Sequence, residues 1–288
     1  NNLKIKNIER VAFYERPLSA FLHTVKEASL HMPRSLPLLT HQFRNFNRSS
    51  VSCYLDFLKS FRGLETKLIY SDHHLSHTLT ALAYSSSKKD ICSVVVDGFG
   101  DRSTASISQI VDPTEINELW DCPYPVSLGL FYSSITDYLG FAINEGEYKV
   151  MGLASYGDSN SKLAKLVRGL MEWEPTSNKI ICDMSYFNYH LSISNSFNRK
   201  LEDLLGPARN PFDQLIPGDS DFQRCADIAR GAQDLIIYLL RKIFTHAHKI
   251  TNSRRFLFSG GVSMNSASID SLAQLPFVDE IFIPPSPG

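Results

Sequence analysis

The sequence has 288 residues, of which 43% are hydrophobic and 20% charged, and a formal net charge of -1. That is an ordinary globular composition, long enough for one large or two moderate cores. A near-neutral chain offers no electrostatic footprint for nucleic acid, and no apolar run approaches the ~18 residues of a membrane span, so a cytoplasmic protein is expected.

The five cysteines (Cys53, Cys92, Cys122, Cys182 and Cys225) are scattered, odd in number and never in a C-x-x-C pair. This argues against a disulfide framework or structural zinc and for a reducing compartment. Cys92, inside an apolar segment, reads as a small buried hydrophobe.

Residues 8–14 read as a strand, and 17–32 as a helix with Leu18, Phe21, Leu22 and Val25 apolar. Residues 33–50, with two prolines, suit a loop or a broken helix. Residues 51–61 read as a helix and 67–70 as a short strand. Ser71 and Asp72 are natural N-cap residues for the helix that follows, with Leu75, Leu79 and Leu82 as its apolar stripe. His73 and His77 lie four apart on one face of that helix, a spacing at which two imidazoles can share a metal ion. Such a pair is as often an accident of surface or core.

Residues 91–96 form an apolar strand with Asp97 at its exit, where open α/β sheets place ligands. A lone Asp-Gly after a strand is usually a turn. The combination, a carboxylate beside two imidazoles, points to a shared metal or phosphate site. Residues 103–110 read as a returning strand, with 97–101 as the tight turn of the hairpin. Two glycines there suit close approach to phosphate oxygens, or simply a Gly-rich hairpin.

Residues 127–140 form an apolar helix. Residues 144–157 follow, with two carboxylates and Lys149 placed to contact ligand or to salt-bridge a helix start. Residues 160–222 read as peripheral, with a helix over 163–173 and a strand over 179–183. A long helix over 227–248 carries Ile228, Ala232, Leu235, Leu239 and Ile243 on one stripe, with His246 and His248 as charges near its C-terminus. The strand 255–258 then runs into Ser259-Gly260-Gly261 and another helix, the context of a nucleotide contact at a helix N-terminus. A final strand covers 280–283. The chain begins near one strand and stops just after another, so it reads as a fragment of a longer protein.

The runs SDHHLSH, VVVDGFGD, SLGLFYSSITDYLGF, NEGEYKVMGLASYG and FSGGVSMN, spanning residues 71–265 in order, resemble the O-carbamoyltransferases of the nodulation-factor and antibiotic-tailoring type. The resemblance implies an α/β, actin-like/sugar-kinase-like ATPase (ASKHA) fold. Residues 1–90 would be the remainder of its first lobe, and 91–288 the second, nucleotide-binding lobe.

It implies carbamoyl transfer from carbamoyl phosphate, through a carbamoyl-adenylate made with ATP in a YrdC-like domain of the same full-length chain, to a hydroxyl of a small molecule or glycan. His73, His77 and Asp97 would hold a divalent metal, iron by the family's precedent. Gly98, Gly100 and Asp101 would line the phosphate side, and Lys149, Gly152, Gly260, Gly261 and Asn265 would hold the nucleotide. His74 would support the site or act as a catalytic base toward the acceptor. The family's phosphate loop would precede Asn1 and its last metal aspartate would follow Gly288, so this chain alone is expected to turn over little. Threonylcarbamoyl transfer to tRNA, or a non-catalytic actin-like nucleotide-binding module, are the alternatives.

Overall fold

In the computed structural model, residues 8–44, 50–60, 68–192 and 195–288 are described. β1 (Val11–Phe13) leads into α1 (Pro17–Leu30), α2 (Leu36–Arg44) and α3 (Ser50–Ser60). Of the segment 33–50, residues 36–44 are helical, with Pro37 in the first turn of α2, where a missing N–H is tolerated, and 45–49 lie outside the described residues. The expected helix end at Phe61 and strand start at Lys67 lie outside the described residues. β2 (Leu68–Tyr70) pairs in parallel with β1 and delivers the chain to α4 (His73–Tyr84).

Next come β3 (Ile91–Gly100), β4 (Ser103–Asp112) and β5 (Glu115–Pro123), then α5 (Leu128–Tyr138), α6 (Glu147–Leu153) and α7 (Lys162–Arg168). A small hairpin, β6 (Met171–Glu174) with β7 (Lys179–Cys182), precedes α8 (Arg199–Leu205) and the long α9 (Ser220–Thr251). β8 (Arg255–Ser259), α10 (Ser266–Ala273) and β9 (Glu280–Phe282) complete the described elements.

The principal sheet has the order β5-β4-β3-β8-β9. β3, β4 and β5 form an antiparallel meander, while β8 and β9 add in parallel beside β3. Side chains alternate across β3 as the strand period requires. Cys92, Val94 and Val96 join the large core with Phe131, Ile135, Leu235, Leu239 and Phe258 from α5, α9 and β8. Ile91 faces the other way, packing with Ala81, Leu82, Ile110 and Leu257 under α4. Helices therefore cover both faces. α4 sits on the sheet itself, so it joins the chain before residue 90 to the part that follows.

Packing corrects two expectations and adds one strand that was not foreseen. The helix foreseen over 163–173 stops at Arg168, and Trp173 lies in β6, its ring 5.9 Å from that of Trp120. β5, an edge strand rich in charge, carries too weak an alternation to be read from sequence. His246 is not a favourable terminal charge: it packs against both tryptophans, and burial lowers its pKa. His248 does cap its end of α9, with Nδ1 2.7 Å from the carbonyl of Ser253.

The five cysteines are free, and Cys92 is fully buried, with desolvation pushing its thiol up to about 12. Among the described residues, no helix is long and apolar enough to cross a membrane.

His190 yields a pH prediction. Its ring is 5% exposed, 5.2 Å from that of His31, and burial lowers its pKa to about 4. The fold therefore favours the neutral ring. Its contribution is complete above the free imidazole value of about 6.5 and is lost as pH falls through about 4. By about pH 5 the loss is about 2 kcal/mol. Melting temperature should fall between neutral pH and pH ~5 in the wild type, and fall less in His190→Gln; equal falls would refute this.

Candidate metal centre and ligand cleft

α4 begins where β3 ends. Asp72 has the extended backbone of an N-cap, yet its side chain makes no cap hydrogen bond and instead pairs with Arg16 at 2.9 Å. The buried face of the helix is His74, Thr78, Ala81 and Leu82, while Leu79 of the expected stripe is 40% exposed. The reason is polar docking: His74 Nδ1 lies 2.9 Å from Ser106 Oγ on β4, and Thr78 Oγ1 lies 2.8 Å from Ser93 Oγ on β3. This contact turns His73 and His77 toward the end of β3.

There the three expected ligands converge. His73 Nε2 is 3.0 Å and His77 Nε2 3.2 Å from Asp97 Oδ2, and the two ring nitrogens are 3.1 Å apart. Two donors at about 2.1 Å from a common ion stand about 3.0 Å apart at right angles and about 3.4 Å apart in a tetrahedron. The donor set and its spacing thus fit one cation without rearrangement. Among the described residues this is the group with such geometry.

Burial alone would raise the Asp97 carboxyl, but hydrogen bonds from His73, His77 and Gly98 N outweigh it and hold it well below the usual carboxylate range. The Asp97 hydrogen bond raises His73 despite desolvation. Its other oxygen, Oδ1, accepts from Gly98 N at 2.7 Å and Gly261 N at 3.3 Å, tying β3 to the turn after β8.

His74 is corrected by the same geometry. Its ring is 6% exposed and bonded to Ser106, and burial lowers its pKa to about 3. A base must reach the hydroxyl it serves. The Nδ1 bond to Ser106 joins α4 to β4, and the ring does not line the cleft.

The β3–β4 turn differs from expectation as well. Strand pairing resumes at Gly100 with Ser103 after a bulge from Val96, so Asp101 and Arg102 make the turn and Asp97 stands in the bulge. Asp101 has a φ of +55°, and its Oδ2 accepts from His73 N at 3.0 Å.

Beside the triad opens a cleft of about 650 Å³, of which Asp97 forms part of the wall. Of the expected nucleotide contacts, Gly98, Gly261 and Asn265 line it. Among the described residues Gly100, Asp101, Lys149, Gly152 and Gly260 do not. Lys149 lies 5.7 Å over the Phe141 ring, because on α6 it is Glu147, Tyr148 and Met151 that face the cleft.

The start of α6 is held by Glu147 rather than by a salt bridge: its Oε1 accepts from Asn144 N at 2.9 Å and Ser133 Oγ at 2.8 Å. Asn265 caps α10, accepting from Ser268 N at 3.1 Å, and is paired in both directions with the Gln233 amide. Glu145 and Glu147, the two carboxylates offered as ligand contacts, do line the cleft, while Gly129, Tyr132 and Ile236 are wall residues that sequence reasoning missed. Gly129, directly after the Ser127 cap in the first turn of an apolar helix, was the one with a readable signal.

Residues 22–288 match the family described as carbamoyltransferase N-terminus. The chain belongs to this family. It is 27% identical to an uncharacterized protein of Synechocystis sp. over 99% of this chain and 46% of that protein. It is 26% identical to the nodulation protein NolNO of Sinorhizobium fredii, over 83% of this chain and 34% of that one. With the nodulation protein NolO of Bradyrhizobium diazoefficiens it shares 28% identity over 75% of this chain and 35% of the relative. The chain spans about half the length, or less, of these curated relatives.

Proposed function

We propose that this chain is the carbamoyl-transferring part of an O-carbamoyltransferase, with an actin-like α/β lobe built on the principal sheet. The observation that carries the reading is Asp97. One carboxylate both completes the His73–His77 donor set and lines the 650 Å³ cleft. A volume of that size suits a nucleotide-sized ligand. The mixed sheet with helices on both faces, and a cleft at the C-terminal ends of parallel β3 and β8, support the fold reading.

In this proposal carbamoyl phosphate, water and ATP yield a carbamoyl-adenylate with release of phosphate and pyrophosphate in another part of the full-length protein. This chain then passes the carbamoyl group to a hydroxyl of a small molecule or glycan, with AMP as the leaving group. His73, His77 and Asp97 hold a divalent cation; two imidazoles and one carboxylate on one side match the set that iron(II) takes. Bound there, the cation supplies charge stabilisation for an oxygen of the activated carbonyl or its phosphate. The protein supplies the rest. Asp97 Oδ1 draws the Gly98 and Gly261 amides to the cleft wall. The Glu147 carboxylate fixes the start of α6, so Tyr148 and Met151 keep their faces to the ligand. The mostly apolar wall excludes water that would hydrolyse an activated carbamoyl group.

The test uses the full-length protein with ATP and radiolabelled carbamoyl phosphate, comparing wild type with His73→Ala/His77→Ala. Pyrophosphate release in both, with label reaching a panel of polyols and glycans only in the wild type, is the expected result. Absence of carbamoyl-phosphate-dependent release under any condition would sink the adenylate route.

A further inference from the structure

We infer that Asp101 is a positioning residue of the metal centre: its carboxylate fixes the first turn of α4 so that His73 presents Nε2 to the cation. The inference rests on the metal-centre reading above and adds a fourth side chain to it. The usual local solution for a helix start is a side-chain cap from the preceding residue. Here Asp72 turns away to Arg16. The amide of His73 is taken instead by Asp101 Oδ2, at 3.0 Å and 28 residues away in sequence.

The sheet determines where that carboxylate sits. Asp101 is the left-handed residue of the turn closed by Gly100 and Ser103, with Arg102 N donating to Gly100 O at 2.6 Å. The same turn also touches the other end of His73. A Cβ on Gly100 would stand 2.8 Å from His73 Cδ2 and 2.7 Å from His74 Cδ2, so the backbone there runs directly against both rings. Gly100 thus backs the imidazole while Asp101 anchors the amide of the same residue.

Two further features separate this role from the phosphate-side role expected from sequence. Asp101 is 8% exposed and does not line the cleft. Its Oδ1 is buried with no hydrogen-bond partner among the described residues. A buried carboxylate with an unpaired oxygen repels a phosphate but favours a dication beside it.

The test is a titration of metal-free, full-length protein with Co²⁺, read by its visible spectrum, in wild type, Asp101→Gly and Asp101→Asn. Gly accepts the left-handed backbone and removes the carboxylate; Asn accepts it and retains an amide-acceptor oxygen without the charge. Asp101→Gly should bind Co²⁺ about 10- to 100-fold more weakly, the range for groups that orient metal ligands, and with an altered spectrum. Asp101→Asn should restore the wild-type spectrum and part of the affinity. Wild-type affinity and spectrum in both variants would overturn the inference while leaving the metal centre standing. A wild type that takes up no Co²⁺ would overturn the metal centre, and the inference with it.

Discussion

Asp97→Asn removes cation binding and lowers carbamoyl transfer by the full-length protein at least about a hundred-fold, more than the loss of a supporting group would, while the chain stays folded. The change is nearly isosteric. Asn keeps one oxygen for the amides of Gly98 and Gly261, which Asp97 Oδ1 now serves at 2.7 and 3.3 Å. What it cannot keep is the charge. In the native site one anionic oxygen faces both imidazoles at 3.0 and 3.2 Å. An amide nitrogen in its place donates to the imidazole lone pairs that a cation needs, so three ligands become none. Co²⁺ titration and label transfer measure the two losses, and a thermal melt confirms the fold. Wild-type Co²⁺ affinity in Asp97→Asn would remove the metal reading of this cluster.

Gly260→Ala lowers stability by about 3 kcal/mol or more. Gly260 has a φ of +88°, where any side chain is strained. Its Cβ would also lie 2.3 Å from Val96 O and 2.6 Å from Val96 C. Those atoms are backbone of the central strand β3, and Val96 is fully buried in the main core. They cannot rotate aside as a surface side chain would. Relief requires the turn to lift, which carries Gly261 N away from Asp97 Oδ1 and weakens the metal centre as well. Gly261→Ala is the control, since its Cβ would meet Asp97 Oδ1 at a more tolerable 3.3 Å. Urea unfolding separates the two variants; a Gly260→Ala midpoint equal to wild type would refute the argument.

The helix carrying the two histidines was legible because its signals are local. N-cap residue types at Ser71-Asp72 and a His-x-x-x-His spacing together specify a helix with both histidines on one face, although the leucine stripe did not mark the buried side. Asp97 was legible for a similar reason, standing just past an unbroken apolar run. Its place in a bulge rather than a turn was not, because the register with β4 depends on where pairing resumes at Gly100 and Ser103. Lys149 shows the limit of motif reading. Sequence puts it among glycines and carboxylates, but the rotation of α6 about its own axis is set by packing, and it turns Tyr148 and Met151 to the cleft instead. Ile236 lies on a helix whose apolar stripe was correctly read, yet nothing along that stripe marks which turn passes the cleft.

By itself, the sequence determined the α/β class, the long buried helix and the grouping of His73, His77 and Asp97. It could do so because helix and strand periods, caps and glycine turns act over a few neighbouring residues. Only the tertiary structure decided that His74 docks on Ser106, that Asp101 serves α4, and that Gly129, Tyr132 and Glu147 share a cleft with Asp97. Those relations join residues 28 to 50 positions apart. They depend on how whole elements dock on the sheet, and that is settled by the fit of many buried side chains at once.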